Sequence, residues 1–154
     1  ELIDFNGNSL KKHKLCVDIV SNSSKKVFSC DINSLLENHD KNNVFLRSSI
    51  ILEGKILSSN EYFFVKPKEL ALPKQDYSVN IEKNENNHII EIESKSFLYR
   101  FYMICCNDSG AFSDNYFHML PGQKRKVVFS PSNENKNNQN SNLEFDFNSL
   151  QGLS

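Results

Sequence analysis

Residues 110–123, GAFSDNYFHMLPGQ, constrain this chain more than any other stretch, because two turn signals bracket one short run of bulky residues. Ser113, Asp114 and Asn115 each carry a side-chain oxygen able to fold back onto nearby backbone N–H groups, which favours a tight turn over a ladder. Tyr116, Phe117, His118, Met119 and Leu120 then supply the residues of a strand. Pro121-Gly122 closes it: proline fixes φ, and glycine takes the positive φ that a type II turn demands. A second strand is expected at once in Lys126-Val127-Val128-Phe129. The pattern predicts a β-hairpin with a well-specified corner. Nothing in it is chemically reactive.

Upstream, the chain is patterned for strands almost throughout. Leu2-Ile3-Asp4-Phe5 has strand character, and residues 15–20 set Leu15, Val17 and Ile19 against Cys16, Asp18 and Val20, a period of two. Residues 21–24 read as a turn and 26–30 as the return strand. Ser34-Leu35-Leu36-Glu37 is the one helical signal, a single turn capped by Asp31 or Asn33. Residues 44–52 form an apolar strand that Gly54 bends, and Tyr62-Phe63-Phe64-Val65 an aromatic one ended by Pro67. Residues 66–74, KPKELALPK, read as an extended connector.

The second half is clearer. Residues 77–82 and 88–93 predict two strands joined by an Asn-rich loop, with Val79, Ile81, Ile90 and Ile92 facing inward. The longest candidate, 97–105, places Phe97, Tyr99, Phe101, Met103 and Cys105 on one face. Leu98, Tyr102 and Ile104 lie on the other with Arg100 among them. Two apolar faces imply a central strand, or one covered by a neighbouring module. Residues 132–142 are Asn-rich and read as a mobile loop. Leu143, Phe145 and Phe147 then alternate with Glu144 and Asp146 in a last strand before Gly152.

About six strands with turns at short, regular intervals and no long helix predict an all-β chain ending in an immunoglobulin-like β-sandwich. Residues 77–154 form that sandwich and 68–76 a linker. Residues 1–67 supply the partial strands of a second β-sandwich, too few to close one alone.

Composition narrows the function classes. A formal net charge of -1 over 154 residues gives no electrostatic reason to expect nucleic acid or an acidic membrane. No apolar run approaches the ~20 residues needed to cross a bilayer. No N-terminal signal pattern is present, which would say nothing about secretion if the chain begins mid-protein. Four cysteines match no zinc spacing. Cys105 and Cys106 are neighbours that face opposite sides of a strand. Cys16 and Cys30 flank the expected hairpin near Ser23, and two readings stand: a cross-strand disulfide, or two small buried hydrophobes.

The string FSDNYFHMLPG within residues 110–123 resembles the C-terminal β-sandwich signature of the β-mannosidases, members of glycoside hydrolase family two. Residues 57–70, LSSNEYFFVKPKEL, resemble the segment in which those enzymes pass from their fourth domain to their fifth. The two motifs stand in family order at family-like spacing, and weaker similarity extends over nearly the whole chain. The resemblance implies a non-catalytic C-terminal accessory region that begins inside the preceding immunoglobulin-like domain. The parent enzyme would remove terminal, non-reducing β-linked mannose with retention of configuration. Its implied partners are the catalytic barrel and preceding domains of the same polypeptide, and it meets a β-mannoside only through them. No cofactor is implied, and a lysosomal or secreted location is expected. Exo-glucosaminidases and endo-β-mannosidases with similar tails are alternative parents. A free-standing carbohydrate-binding or structural sandwich is the other class. Sugar-binding faces commonly offer a flat row of exposed aromatics, often Trp; this chain has no Trp, and its aromatics alternate as core residues do.

Retaining glycosidases need two carboxyl groups roughly 5 Å apart across the scissile bond. In the family resembled, both are glutamates of the barrel, so no catalytic residue is carried over to this chain. Glu82, Glu91, Glu93, Glu144 and Asp146 alternate with apolar residues, as solvent-facing strand positions do. Asp114 is the one acid inside a specific motif. It is read as a turn residue whose carboxylate accepts backbone N–H bonds within 113–116 and sets the register of the next strand, the other reading being a contribution to a neighbouring domain's sugar site. With Phe112, Ser113, Asn115, Pro121 and Gly122 it makes up the structural motif. His13, His39, His88 and His118 are scattered without ligand spacing, so no metal site is expected. Asn22-Ser23-Ser24 and Asn107-Asp108-Ser109 are N-glycosylation acceptors on expected loops.

Overall fold

The structure, a computed structural model, describes residues 1–84, 86–132 and 142–153, with backbone alone for 152 and 153. Most of the Asn-rich stretch expected to be a mobile loop, 133–141, lies outside the described residues. The chain forms two units, Glu1–Ala71 and Leu72–Ser154. The division falls within the proline-bearing stretch 66–74, which is not extended throughout: Pro67–Glu69 forms a 3-10 turn.

The first unit is built on one antiparallel sheet, from β1 (Leu2–Asp4), β2 (Ser9–Lys11), β3 (Val44–Leu52) and β4 (Lys55–Phe63), in the order β2-β1-β3-β4. Local chemistry sets each connection. Asp4 gathers the N–H groups of Asn6 and Asn8 at 2.9 and 2.8 Å, folding the β1–β2 turn. Asp31 caps the short helix α1 (Ile32–Leu36) by accepting from the N–H groups of Asn33 and Ser34. Glu53 and Gly54, at φ 50° and 78°, give the paired positive angles that a two-residue β3–β4 hairpin requires. Phe45 stacks between Phe5 and Phe63, with ring centroids at 6.0 and 5.6 Å. Leu2, Leu36 and Val44 form the buried cluster, with Leu10 and Phe64 against it.

Residues 15–20 and 26–30 do not form the expected hairpin. The segment has no strand and every residue from 12 to 34 is exposed, although the turn itself closes through the Ser23 N–H to the Val20 carbonyl at 3.2 Å. Alternation makes a strand only where a sheet edge and an apolar face receive it, and this segment finds neither. Cys16 and Cys30 are exposed free thiols, so they are neither bridged nor buried.

The second unit is an immunoglobulin-like sandwich. Its strands are β5 (Tyr77–Asn84), β6 (Asn87–Ser94), β7 (Leu98–Cys105), β8 (Gly110–Phe112), β9 (Phe117–Met119), β10 (Lys124–Pro131) and β11 (Phe145–Asn148). One sheet has the order β5-β6-β10-β8, the other β11-β7-β9. Ile90, Ile92, Phe101, Met103, Val127 and Phe129 fill the space between them. Tyr77 crosses it, donating from its hydroxyl to the Phe147 carbonyl at 2.8 Å. Burial, and secondarily the charge of Asp146, raises the pKa of that phenol.

β7 is the central strand of its sheet, but its faces differ from strict alternation. Arg100 sits at φ 48° and breaks the β7–β9 register between Leu98 and Phe101. This bulge turns both Leu98 and Phe101, three residues apart, into the core. Ile81, expected inward, is 40% exposed because it lies on the edge strand β5.

The expected hairpin between β9 and β10 does not exist. β9 pairs with β7, whereas β10 pairs with β6 and β8. The Pro-Gly turn forms as read, with Gly122 at φ 78° and the Gln123 N–H on the Leu120 carbonyl at 3.1 Å. It passes the chain from one sheet to the other.

The 110–123 corner as candidate functional site

Residues 110–131 stitch the sandwich together by crossing it twice: β8 in one sheet, β9 in the other, β10 back in the first. Entry is through Gly110, where a Cβ would fall 2.5 Å from the Phe129 ring and from the Ser130 carbonyl oxygen, so only glycine fits. Phe112 then packs on Phe129 at 4.8 Å. Ser113 prolongs the pairing with β10: its N–H donates to the Val128 carbonyl at 2.8 Å, and its hydroxyl accepts the Val128 N–H at 3.0 Å.

Asn115 makes the crossing. Its side-chain carbonyl accepts the Met103 N–H at 2.9 Å, and its amide donates to the Met103 carbonyl at 3.0 Å. A side chain thus occupies the place of a strand backbone beside β7. Asp114 meets the expected turn role in part and adds a partner outside the corner. Within the corner it accepts a single backbone bond, from the Asn115 N–H at 2.8 Å, and its second oxygen meets Arg125 at 2.6 Å. Arg125 also lies over the Phe117 ring, 4.1 Å from its centroid. The sequence held a signal for this partner: Arg125 is in step with the buried Val127 and Phe129, and a charge at an inward position calls for an opposite one.

Tyr116 follows at φ 59°, 63% exposed, and stacks on Tyr102 at 5.6 Å and 17°. His118 accepts the Arg100 N–H on Nδ1 at 3.0 Å and lies between the rings of Phe97 and Tyr99. That imidazole supports the bulge and is occupied in doing so. The corner therefore holds a paired acid, a bonded amide and a bonded imidazole.

Two further acids are paired as well. Glu91 and Glu93 share the outer face of β6, in a shallow groove of about 320 Å³ lined also by Ser78, Asn80, Lys124 and Lys126. Carboxylates two residues apart on a strand are separated by about 7 Å, and here each is bonded to a lysine, Lys126 at 2.7 Å and Lys124 at 3.2 Å. The hydrogen bond and charge of Lys126 lower the pKa of Glu91. A general acid needs the opposite shift. Among the described residues no three His, Cys, Asp or Glu side chains converge as metal ligands.

The two glycosylation acceptors differ. Asn22 is exposed on a tight turn at φ 58°. Asn107 is bonded through both ends of its amide, accepting the Glu144 N–H at 2.9 Å and donating to the Asn142 carbonyl at 3.0 Å. A glycan would take one of the two hydrogens on that nitrogen, and the bond to Asn142 would then depend on the other.

Comparison with known proteins gives a consistent result. Residues 1–69 match the family model of a mannosidase Ig/CBM-like domain, and residues 72–151 match the Ig-fold domain model of mannosidases. The chain is similar to the crystal structure of a beta-D-mannosidase from Dictyoglomus thermophilum, with a TM-score of 0.65 and 25% identity. The alignment covers 97% of this chain and 18% of that one, so the chain spans less than a fifth of that enzyme's length. No curated protein matches.

Proposed function

The chain belongs to the Ig-fold domain family of mannosidases, and on that premise we propose that it is the non-catalytic C-terminal accessory region of a β-mannosidase. The parent enzyme hydrolyses terminal, non-reducing β-D-mannose residues with retention, and this region packs with its catalytic barrel and preceding domains. The observation that carries the proposal is the match along 97% of the chain to a small share of a β-D-mannosidase. Asp114, Glu91 and Glu93 are each partly exposed and paired with a cation, which agrees with an accessory role. A secretory or lysosomal route belongs to the same proposal, with Asn22 the acceptor open to a glycan.

The test is direct. The purified chain is assayed on a chromogenic β-mannoside beside the parent enzyme, and only the parent turns over. Hydrolysis by the chain that vanishes when one of its acids is changed would overturn the accessory role. A parent that releases glucosamine but not mannose would overturn the substrate. Enzymatic deglycosylation of the secreted parent should lower the mass of the peptide bearing Asn22 and leave that bearing Asn107 unchanged.

A further inference from the structure

β3 is nine residues long, and its two edges are treated very differently. β4 pairs with it from Phe45 to Leu52. β1 covers only Val44, Phe45 and Leu46 on the other edge. The last rung is Glu1 with Arg47, which exchange two bonds: the Arg47 N–H to the Glu1 carbonyl at 2.8 Å and the Glu1 amine to the Arg47 carbonyl at 2.9 Å. Beyond it no described residue pairs with the Ser48–Leu52 half of that edge. Bonded pairs alternate along an antiparallel ladder, so Ser49 is the next residue to aim its N–H and C=O at the open edge.

This half of the hairpin is also apolar. Ile50, Ile51, Leu52, Ile56 and Leu57 are each between 53% and 66% exposed. It is nonetheless well built, with a specified two-residue turn and an ion pair between Arg47 and Glu61 at 3.0 Å. Long, open, apolar strand edges template aggregation, and folded proteins cover them.

We propose that, in the parent enzyme, the polypeptide joined to Glu1 continues β1 as a strand lying antiparallel along Ser48–Leu52. The register follows from Leu2 facing Leu46 and Ile3 facing Phe45. The residue directly before Glu1 faces Ser48, and the third before it faces Ile50 and is apolar. The occupant is this segment rather than a second copy, because the ladder reaches Glu1 with its bonds already made. Its next rung lies where a residue bonded to the Glu1 nitrogen must go, and another molecule's strand would have to abut that nitrogen end to end. The inference rests on the proposed function, since it needs a parent polypeptide.

The experiment uses the parent enzyme. A cysteine at the position directly before Glu1 is combined with Ser48→Cys, oxidised mildly and mapped by peptide mass spectrometry. A non-bonded antiparallel pair has the Cα separation a disulfide tolerates, so a bond between these two cysteines is expected in most molecules. A cysteine moved to the third position before Glu1, with the same Ser48→Cys, should link at least tenfold less. Equal linking by both, no linking by the in-register pair in an enzyme that still cleaves the mannoside, or a disulfide-linked dimer would each overturn the proposal. A linked enzyme inactive on every mannoside, before and after reduction, would instead overturn the functional proposal and leave this one standing. Should the variants fail to fold, hydrogen exchange on the unaltered parent decides: Ser49 protected like Arg47 supports the added strand, and Ser49 exchanging like an exposed loop refutes it.

Discussion

Asn115 holds Met103 by both of its backbone groups, one at 2.9 Å and the other at 3.0 Å. Because that pair replaces a strand rung, removing it strands a donor and an acceptor at once. Unsatisfied buried groups cost about 1–3 kcal/mol each, and because these two are only partly buried, Asn115→Ala should destabilise the sandwich by about 2–4 kcal/mol, the lower part of their sum. Asn115→Asp keeps the acceptor and loses the donor, and should fall between. Urea unfolding followed by tyrosine fluorescence suits the measurement, since Tyr77, Tyr99, Tyr102 and Tyr116 all lie in the second unit. An Asn115→Ala protein as stable as the parent chain would show that the rung carries no weight.

Asp114 is a support for this corner rather than its organiser. Its ion pair with Arg125 is short, but side-chain exposures of 42% and 40% keep its value small. Asp114→Asn retains the acceptor for the Asn115 N–H and should cost under about 1 kcal/mol. Asp114→Ala loses both contacts and should cost about 1–2 kcal/mol. A double-mutant cycle with Arg125→Met should return a coupling of about 0.5–1 kcal/mol. In the parent enzyme, turnover per folded molecule should hold for both Asp114 variants. Lost turnover in Asp114→Asn at an unchanged melting temperature would place the corner in the active site.

Gly110 is fixed by contact and not by conformation. A methyl group there would meet the Phe129 ring and the Ser130 backbone at 2.5 Å. The ring can turn aside, but the backbone oxygen belongs to the β8–β10 ladder and cannot move without breaking it. Gly110→Ala should therefore cost about 2–3 kcal/mol, the range of core overpacking. Gly122→Ala meets no atom within 4 Å, yet it bears a φ of 78°, and should cost about 1–2 kcal/mol through strain alone. A larger loss at Gly122 than at Gly110 would contradict this ranking.

Local chemistry was legible in the sequence wherever a side chain acts on its own neighbours. Asp31, one of the two caps offered, caps the short helix, Gly122 takes positive φ, and 44–52 is a strand with the bounds read from its apolar run. What the sequence did not disclose is which surface receives each strand. The Pro121-Gly122 turn is compatible with a hairpin or a crossing, and only the pairing of β9 with β7 decides between them. Alternation at 15–20 described a strand with no sheet to join. At Leu98 the period of two failed because Arg100 adds a residue to the ladder, and a bulge of that kind leaves no mark when the residue is not glycine. In the corner the turn-forming residue types were legible, but the partner of Asn115 was not, because Met103 lies on another strand; Arg125 left a trace, as a charge in step with Val127 and Phe129.

His88 gives the sandwich a dependence on pH. It faces Lys83 across the β5–β6 ladder and Phe129 across the β6–β10 ladder, with the Phe145 ring 5.8 Å away. Its Nδ1 is buried without a hydrogen-bond partner. Burial first, and the charge of Lys83 second, lower its pKa from the usual histidine value. The unfolded chain, with a histidine near 6.5, therefore binds the proton more readily than the native one. Stability from this site is present above the unfolded pKa and is lost as pH falls through the folded value. Between pH 7.5 and 5.5 most carboxylates stay ionised, so a fall in the urea midpoint over that interval reports chiefly on histidine. His88→Gln removes the titration and should flatten the fall, while His39→Gln, at an exposed site, should leave it in place. If the His88 variant loses stability over the interval as steeply as the unaltered chain, the dependence arises elsewhere.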